Sequence, residues 1–291
     1  DWLIVDHYGL DESWEKTIRS HVRKIMVIDD LANRHHDCEM LLDQNWFDDK
    51  ESRYKGLVPD ACTKLLGPEY ALLRSEFSEA RKKGKPRNGD VKRIFVFFGG
   101  SDPHNLTVMT LRALSAPELA NLKVDIVIGE NNPHHEELKK ITASRASTYL
   151  YVQVDDMAAV MAKADLVIGS GGMNTWERMC LSIPSMVISF AKNQVIILQD
   201  LVKNGFLEHL GYISEINQDI IKQKIIDKIN EPSLLSNQFN KIKNLINGKG
   251  SQIVAEWLIG NLSIKTWEVK CATIDNIELY WVWVNDEQVR K

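Results

Sequence analysis

The chain has 291 residues, with 36 Lys plus Arg against 40 Asp plus Glu and a net charge of −4. That length accommodates two domains and a large core, and the acidic balance without any basic block argues against a nucleic-acid partner. No apolar run approaches the length of a membrane span and no charged-then-apolar signal segment opens the chain, so no membrane partner is expected.

The first residue is Asp1 rather than Met, and it leads straight into an apolar strand pattern, so the expectation is a piece cut from a longer protein. Trp2 to Asp6 reads as a strand whose carboxyl end delivers Asp6, His7, Tyr8 and Gly9 to a loop. Asp11 then caps a predicted helix to about Val22, and Lys24 to Ile28 is the next strand, ending in Asp29-Asp30. A carboxylate or phenol at a strand's carboxyl end in an α/β domain lies near the ligand crevice. Asp6, Tyr8 and Asp29 are therefore candidate site residues, against the alternative that they cap helices or close loops. His35-His36 with Cys38 has no partner pair at metal-ligand spacing and reads as a solvated loop. The four cysteines, Cys38, Cys62, Cys180 and Cys271, are too scattered for a zinc knuckle or a disulfide framework. They read as reduced cytosolic thiols, which places the protein in the cytoplasm.

From Leu41 to Phe77 short apolar stretches are broken by Asn45, Gly56, Pro59, Gly67 and Pro68, which fits a domain edge. Ala80 to Asp90 (ARKKGKPRNGD) is rich in charge, Gly and Pro and reads as a linker, with the domain boundary at 81–90. After it the pattern is regular, with strands predicted at Arg93 to Phe98, Val124 to Ile128, Tyr149 to Val152, Leu166 to Ile168 and Ser185 to Ile188. Helices fall between them, from about Asn105, near His134 to Thr142, over Met157 to Ala164 and over Thr175 to Leu181. Such alternation means βαβ units and a parallel sheet. Helices are predicted to dominate from Gln194 to Leu262.

Two of these strands end in glycines. Leu166 to Ile168 runs into Gly169-Ser170-Gly171-Gly172 and then a helix carrying Glu177 on its second turn. Arg93 to Phe98 runs into Gly99-Gly100-Ser101-Asp102-Pro103, with Asp102 as N-cap and Pro103 as the first helical residue. Strand, glycine turn and helix together can cradle a phosphate, because glycine lets backbone approach the anion while the helix opens with free N–H groups and a favourable dipole. Two such turns at one sheet edge point to a nucleotide or sugar diphosphate; a tight turn that binds nothing is the alternative for either alone. The spacing is neither the G-x-G-x-x-G of a dinucleotide fold nor a Gly-Lys-Ser/Thr phosphate loop. That leaves glycosyl-nucleotide binding by two facing α/β domains.

The run from Val154 through Gln194, VDDMAAVMAKADLVIGSGGMNTWERMCLSIPSMVISFAKNQ, resembles the nucleotide-binding half of the UDP-2,4-diacetamido-2,4,6-trideoxy-β-L-altropyranose hydrolases of pseudaminic acid biosynthesis. Further matching pieces are DWLIVDHYGL at Asp1 to Leu10, IDDLAN at Ile28 to Asn33, LGPEYALLRSEF at Leu66 to Phe77 and FGGSDPHN at Phe98 to Asn105. In this order they cover most of the chain to about Leu262. The resemblance implies an α/β, GT-B-like fold of two Rossmann-like domains facing a cleft, with residues 1–80 as the remainder of an incomplete first domain and 91–262 as the UDP-binding one. It implies a hydrolase that uses no metal and no cofactor and releases UDP from the anomeric carbon of a diacetamido-trideoxy sugar.

On that likeness Ser170, Gly171 and Gly172 hold the diphosphate together with Gly99, Gly100 and Ser101, and Glu177 accepts from the ribose hydroxyls. Met157 and its neighbours meet the uracil, and Asn105, Asn193 and Gln194 reach phosphate or sugar. Two departures stand out. Met173 takes the place of a small hydroxyl residue, and the family's general-base histidine loop, Gly-x-Gly-His, does not occur. Tyr8 is the tentative catalytic group left, and the expectation is a chain that binds UDP but hydrolyses UDP-sugar poorly or not at all. Lys265 to Lys291 resembles the opening of a GNAT-type acetyltransferase through Trp281, Trp283, Asn285, Asp286 and Arg290; the alternative is a helix finishing the hydrolase domain. A GT-B glycosyltransferase and a non-catalytic UDP-sugar-binding segment remain as other functions, and the oligomeric state stays open.

Overall fold

A computed structural model describes residues 2–84, 86–190 and 192–260, with the side chains of 192–196 outside the description. The acetyltransferase-like stretch from Lys265 lies outside the described residues, as does Cys271. The chain forms two compact units, each built on its own sheet.

The first unit takes residues 2–43, 51–65 and 252–260. It holds β1 (Trp2–Asp6), α1 (Glu12–Ile18), β2 (Lys24–Ile28), β3 (Met40–Asp43), α2 (Lys50–Arg53) and β4 (Thr63–Leu66) in a four-stranded sheet ordered β1-β2-β3-β4. β2 pairs in parallel with both neighbours. Ile25, Met26 and Val27 are all buried, as expected for an inner strand of a parallel sheet covered on both faces. Asp11 caps α1 as its residue type predicts, accepting from Ser13 N at 2.9 Å. The α-helix ends at Ile18 and a 3₁₀ turn, Arg19–His21, replaces the predicted continuation to Val22.

One polar reading changes in this unit, and one pair of free thiols comes together that the sequence did not join. His36 is not on a solvated loop but buried, its Nδ1 2.7 Å from Glu15 Oε1, while Glu15 Oε2 accepts from Asp37 N at 2.6 Å. Cys38 and Cys62 are brought together, Sγ to Sγ 3.7 Å, although 24 positions apart. Strand pairing across a crossover brings such residues together, and no sequence spacing signals it.

The second unit takes residues 44–50 and 66–251. After α3 (Ser75–Lys82) come β5 (Arg93–Phe97), α4 (Leu106–Leu114), β6 (Lys123–Ile128), α5 (His135–Ser144), β7 (Thr148–Val152) and α6 (Met157–Met161). There follow β8 (Leu166–Ser170), α7 (Asn174–Cys180), β9 (Ser185–Ser189), α8 (Lys192–Lys203), β10 (Glu208–Tyr212), α9 (Gln218–Asn230) and α10 (Pro232–Ile242), and α11 (Gly250–Gly260) runs on into the first unit, where Leu258 O accepts from Trp2 Nε1 at 3.1 Å. The six-stranded sheet is ordered β10-β9-β8-β5-β6-β7 and every pair is parallel. Alternate strand residues supply its two cores: Phe95, Val167 and Val187 face one side with Trp176, and Ile94, Val96, Ile168 and Ile188 face the other with Leu111. This is the doubly wound α/β arrangement.

The polar stretch 81–90 is not a boundary here. Phe77 on α3 is fully buried. Arg81 donates to Cys180 O at 2.7 Å, and Arg87 donates to Leu181 O and Ala164 O, both at 3.1 Å. The arginines that gave the segment its linker composition fold inward onto carbonyls of the second unit. Burial pulls the Arg87 guanidinium down to about 10. β10 also interrupts the predicted helical region. Its sequence, EHLGY, carries no apolar run, among the described residues it pairs only with β9, and Gly211 at φ 140 shifts its register. No helix of the described residues is long and apolar enough to cross a membrane.

Candidate functional site

β5 and β8 are neighbours, with Val96 opposite Ile168 and Phe97 opposite Gly169. The chain leaves β5 in one direction to build β6 and β7, then returns to the other side of β5 to build β8, β9 and β10. The order of winding therefore reverses between the two strands that end in glycines, and such a reversal opens a crevice at the carboxyl edge of an α/β sheet.

At the first corner Gly99 has φ 96, which favours glycine. Gly100 O accepts from Gly129 N at 2.9 Å and from Asn132 Nδ2 at 3.1 Å. A Cβ at Gly129 would lie 3.0 Å from Gly100 Cα, so the ends of β5 and β6 touch through bare backbone. Ser101 is exposed. The helix start differs from the predicted one. Asn105, at φ 57, is the residue before α4, and Asp102 reaches forward to accept from Leu106 N at 3.0 Å and Thr107 N at 2.7 Å. Pro103 thus precedes the helix instead of opening it, and two donors of the first turn are already taken by a carboxylate. Asn105 has a buried Oδ1 with no hydrogen-bond partner among the described residues, an acceptor open to a donor such as a ligand hydroxyl.

The second corner is more open. β8 runs on through Ser170, which is buried, and α7 begins at Asn174 after Gly171, Gly172 and Met173. A Cβ at Gly171 would sit 2.8 Å from Leu198 Cδ1, whereas one at Gly172 would meet nothing closer than Asn174 Oδ1 at 3.6 Å. Met173 occupies the N-cap without a side-chain cap bond and is half exposed. Thr175 N donates to Gly172 O at 2.9 Å and Trp176 N to Met173 O at 3.0 Å, so it is the amides of Gly172 to Asn174, ahead of them, that face a ligand.

Glu177 is the fourth residue of α7, in its first turn and not its second. Burial raises its carboxyl above the usual glutamate range, opposed by the charges of Arg74 and Arg178, and Arg74 Nη2 stands 3.8 Å from its Oε1. A half-desolvated carboxylate in this position can accept from a sugar's hydroxyls.

Arg178 escaped the sequence reading, since a charge after Glu177 reads as part of a solvated helix face. It is buried at 1 % exposure, its Nη2 donates to Thr175 Oγ1 at 2.7 Å, and its Nε has no hydrogen-bond partner among the described residues. Burial lowers this guanidinium to about 9, and the neighbouring Glu177 charge opposes the shift. The sequence signal is helical phase: Thr175 and Met179 bracket Arg178 on the inward side of α7.

The remaining candidates are dispersed. Met157 opens α6 at 8 % exposure and packs in the core with Phe95 and Trp176. Asn193 and Gln194 fall in α8, and their side chains lie outside the described residues. Tyr8 belongs to the first unit, is exposed, and donates to Asp30 Oδ2 at 3.3 Å; partial burial and then the Asp30 charge push its phenol up to about 12. Asp29 is buried, 2.7 Å from Arg34 Nη1, and accepts from Tyr54 Oη at 3.1 Å and from Ala32 N at 2.9 Å, which is the loop-closing role. Among the described residues no group of three or more His, Cys, Asp or Glu comes together to hold a metal ion.

Residues 93–248 match the glycosyltransferase family 28 C-terminal domain. The chain is 32% identical over 206 residues to the UDP-2,4-diacetamido-2,4,6-trideoxy-beta-L-altropyranose hydrolase of Campylobacter jejuni, covering 70% of this chain and 72% of that one. It is 28% identical over 230 residues to an uncharacterized protein of Methanocaldococcus jannaschii, covering 74% of this chain but spanning only 46% of the archaeal protein's length. Its fold resembles that of MurG from Acinetobacter baumannii, with a TM-score of 0.57 at 14% identity over 88% of this chain and 73% of MurG. The α/β architecture is accordingly GT-B-like. Through the unit that carries both glycine corners, the chain belongs to the glycosyltransferase family 28 C-terminal domain family.

Proposed function

We propose that the second unit binds the UDP moiety of a nucleotide sugar, and that the protein acts in releasing UDP from a UDP-diacetamido-trideoxy sugar. The observation that carries the binding site is the winding reversal between β5 and β8, which sets the glycine corners after Phe97 and Ser170 on adjacent strands at one edge. The corners supply backbone donors and close approach for a diphosphate, and Glu177 supplies the acceptor for ribose. The hydrolase relative supports the reaction. In it a water oxygen bonds to the anomeric carbon as the bond from that carbon to the diphosphate oxygen breaks; UDP leaves with the electron pair and the water's proton passes to a base. Since no Gly-x-Gly-His loop occurs in the sequence, this chain is expected to bind UDP more readily than it turns over the sugar.

A second reading, transfer of the sugar to an acceptor, is favoured by the family 28 match itself. Incubation with a UDP-diacetamido sugar and product analysis separates the readings. Free sugar plus UDP supports hydrolysis, sugar attached to an acceptor supports transfer, and UDP binding with unchanged substrate supports a binding role alone. Calorimetry with UDP tests the site; no heat of binding at millimolar UDP would end this assignment.

A further inference from the structure

Arg178 is a buried cation to which the diphosphate corners assign no contact. A Cβ added at Gly169 would lie 2.5 Å from Phe97 O and 3.5 Å from Arg178 Nη1. The guanidinium therefore rests against the β5–β8 pair at the last residues before both corners. Its polar partner among the described residues is a neutral hydroxyl, Thr175 Oγ1 at 2.7 Å, and Nε is left without one. Among the described residues no carboxylate bonds to it, and Glu177 acts on it only as a nearby charge.

A guanidinium out of water without a hydrogen-bonded anion is costly to fold around, and cheaper apolar side chains fill a helix's inward face. What offsets that cost is an anion arriving nearby, where low dielectric makes a fixed charge act further than it does in water. We propose that Arg178 is a positioning residue for the diphosphate: a permanent positive charge behind both glycine corners that favours the anionic part of the ligand without touching it. This rests on the reading of the corners as a UDP site. It gives the site a specificity, since the charge distinguishes the diphosphate from the nucleoside.

The test compares UDP and uridine by calorimetry on the full chain, for wild type, Arg178→Met and Arg178→Gln, with thermal melts to establish folding. In Arg178→Met, affinity for UDP is expected to fall about tenfold while affinity for uridine changes less than about twofold, because only the diphosphate feels the missing charge. Arg178→Gln removes the charge while keeping an N–H donor for Thr175 Oγ1, and it is expected to lose affinity for UDP as Arg178→Met does, with uridine changed less than about twofold. Equal losses for UDP and uridine in folded Arg178→Met would reduce Arg178 to a packing role and overturn the inference. If Arg178→Met does not fold, Arg178→Gln decides: a UDP-to-uridine ratio that falls about tenfold supports the inference and a retained ratio sinks it. Wild type that binds no UDP would instead refute the site itself, an outcome distinct from either.

Discussion

At the scale of residues, Glu177 and the two bare glycines beside it make separable predictions. Burial raises the Glu177 carboxyl, and only the ionised form is a full acceptor for ribose hydroxyls. Lowering the pH therefore protonates it earlier than an ordinary glutamate, whose value is about 4.3. Uridine affinity should decline as pH falls, starting above that value, and Glu177→Gln should flatten the profile and bind about ten to a hundredfold more weakly at neutral pH. Uridine serves as the probe because it carries no phosphate that titrates in the same window; a flat wild-type profile would contradict the role. Gly171 and Gly172 separate fold from function. A Cβ at Gly171 meets the buried Leu198 at 2.8 Å, so Gly171→Ala should cost about 1–3 kcal/mol in denaturant unfolding. Gly172→Ala meets nothing nearer than 3.6 Å and should leave stability unchanged while weakening UDP binding, since the methyl group occupies the approach to the α7 amides. The sequence names Glu177 and these glycines because strand, glycine and acid follow one another within a dozen positions. It does not show Arg178, whose meaning depends on which way α7 faces.

The elements around the first corner show why a helix start is harder to read than a helix. The pattern from Leu106 to Leu114 announces α4 through its apolar spacing, yet the cap is a tertiary detail. Asp102 caps from four residues away because both it, at φ 38, and Asn105, at φ 57, take left-handed conformations that fold the intervening turn back on itself. Asn tolerates such a φ better than most residues, but nothing in the order Ser-Asp-Pro-His-Asn says that the turn is used. Asp102→Ala removes both bonds to the α4 amides and should destabilise the second unit by about 1–2 kcal/mol in chemical unfolding. Asp102→Asn keeps an acceptor and should recover most of that loss; equal losses in both variants would assign the effect to the carboxylate's charge in place of its cap. The same limit explains β10 and the stretch 81–90. An edge strand with a single neighbour needs few apolar residues, and arginines that turn inward onto carbonyls look identical in sequence to arginines in water.

For the molecule as a whole, the alternation of strands and helices was legible, and so was the kinship of the second unit, because motif order is carried by the chain itself. The winding reversal was not. Strands 5 or 6 residues long give no sign of which neighbour they pair with, and the order β10-β9-β8-β5-β6-β7 is set by the crossovers. That order also bears on the proposed ligand: corners brought together this way would let a chain of net charge −4 take a ligand as anionic as a nucleoside diphosphate. Surface charges are screened within about 10 Å at 0.1 M salt, while backbone dipoles at the corners are fixed in the fold and need no mobile counter-charge. Binding of this kind couples directly to stability, because the corners exist only when β5 and β8 are paired. UDP at about a hundred times its dissociation constant should stabilise the folded second unit by ~2.7 kcal/mol, raising its calorimetric unfolding temperature. At the same UDP concentration Glu177→Gln should show a smaller shift, because its weaker binding lowers the ratio of ligand to dissociation constant, and raising UDP in proportion should restore it. A UDP-induced shift that Glu177→Gln leaves untouched would place the nucleotide away from α7.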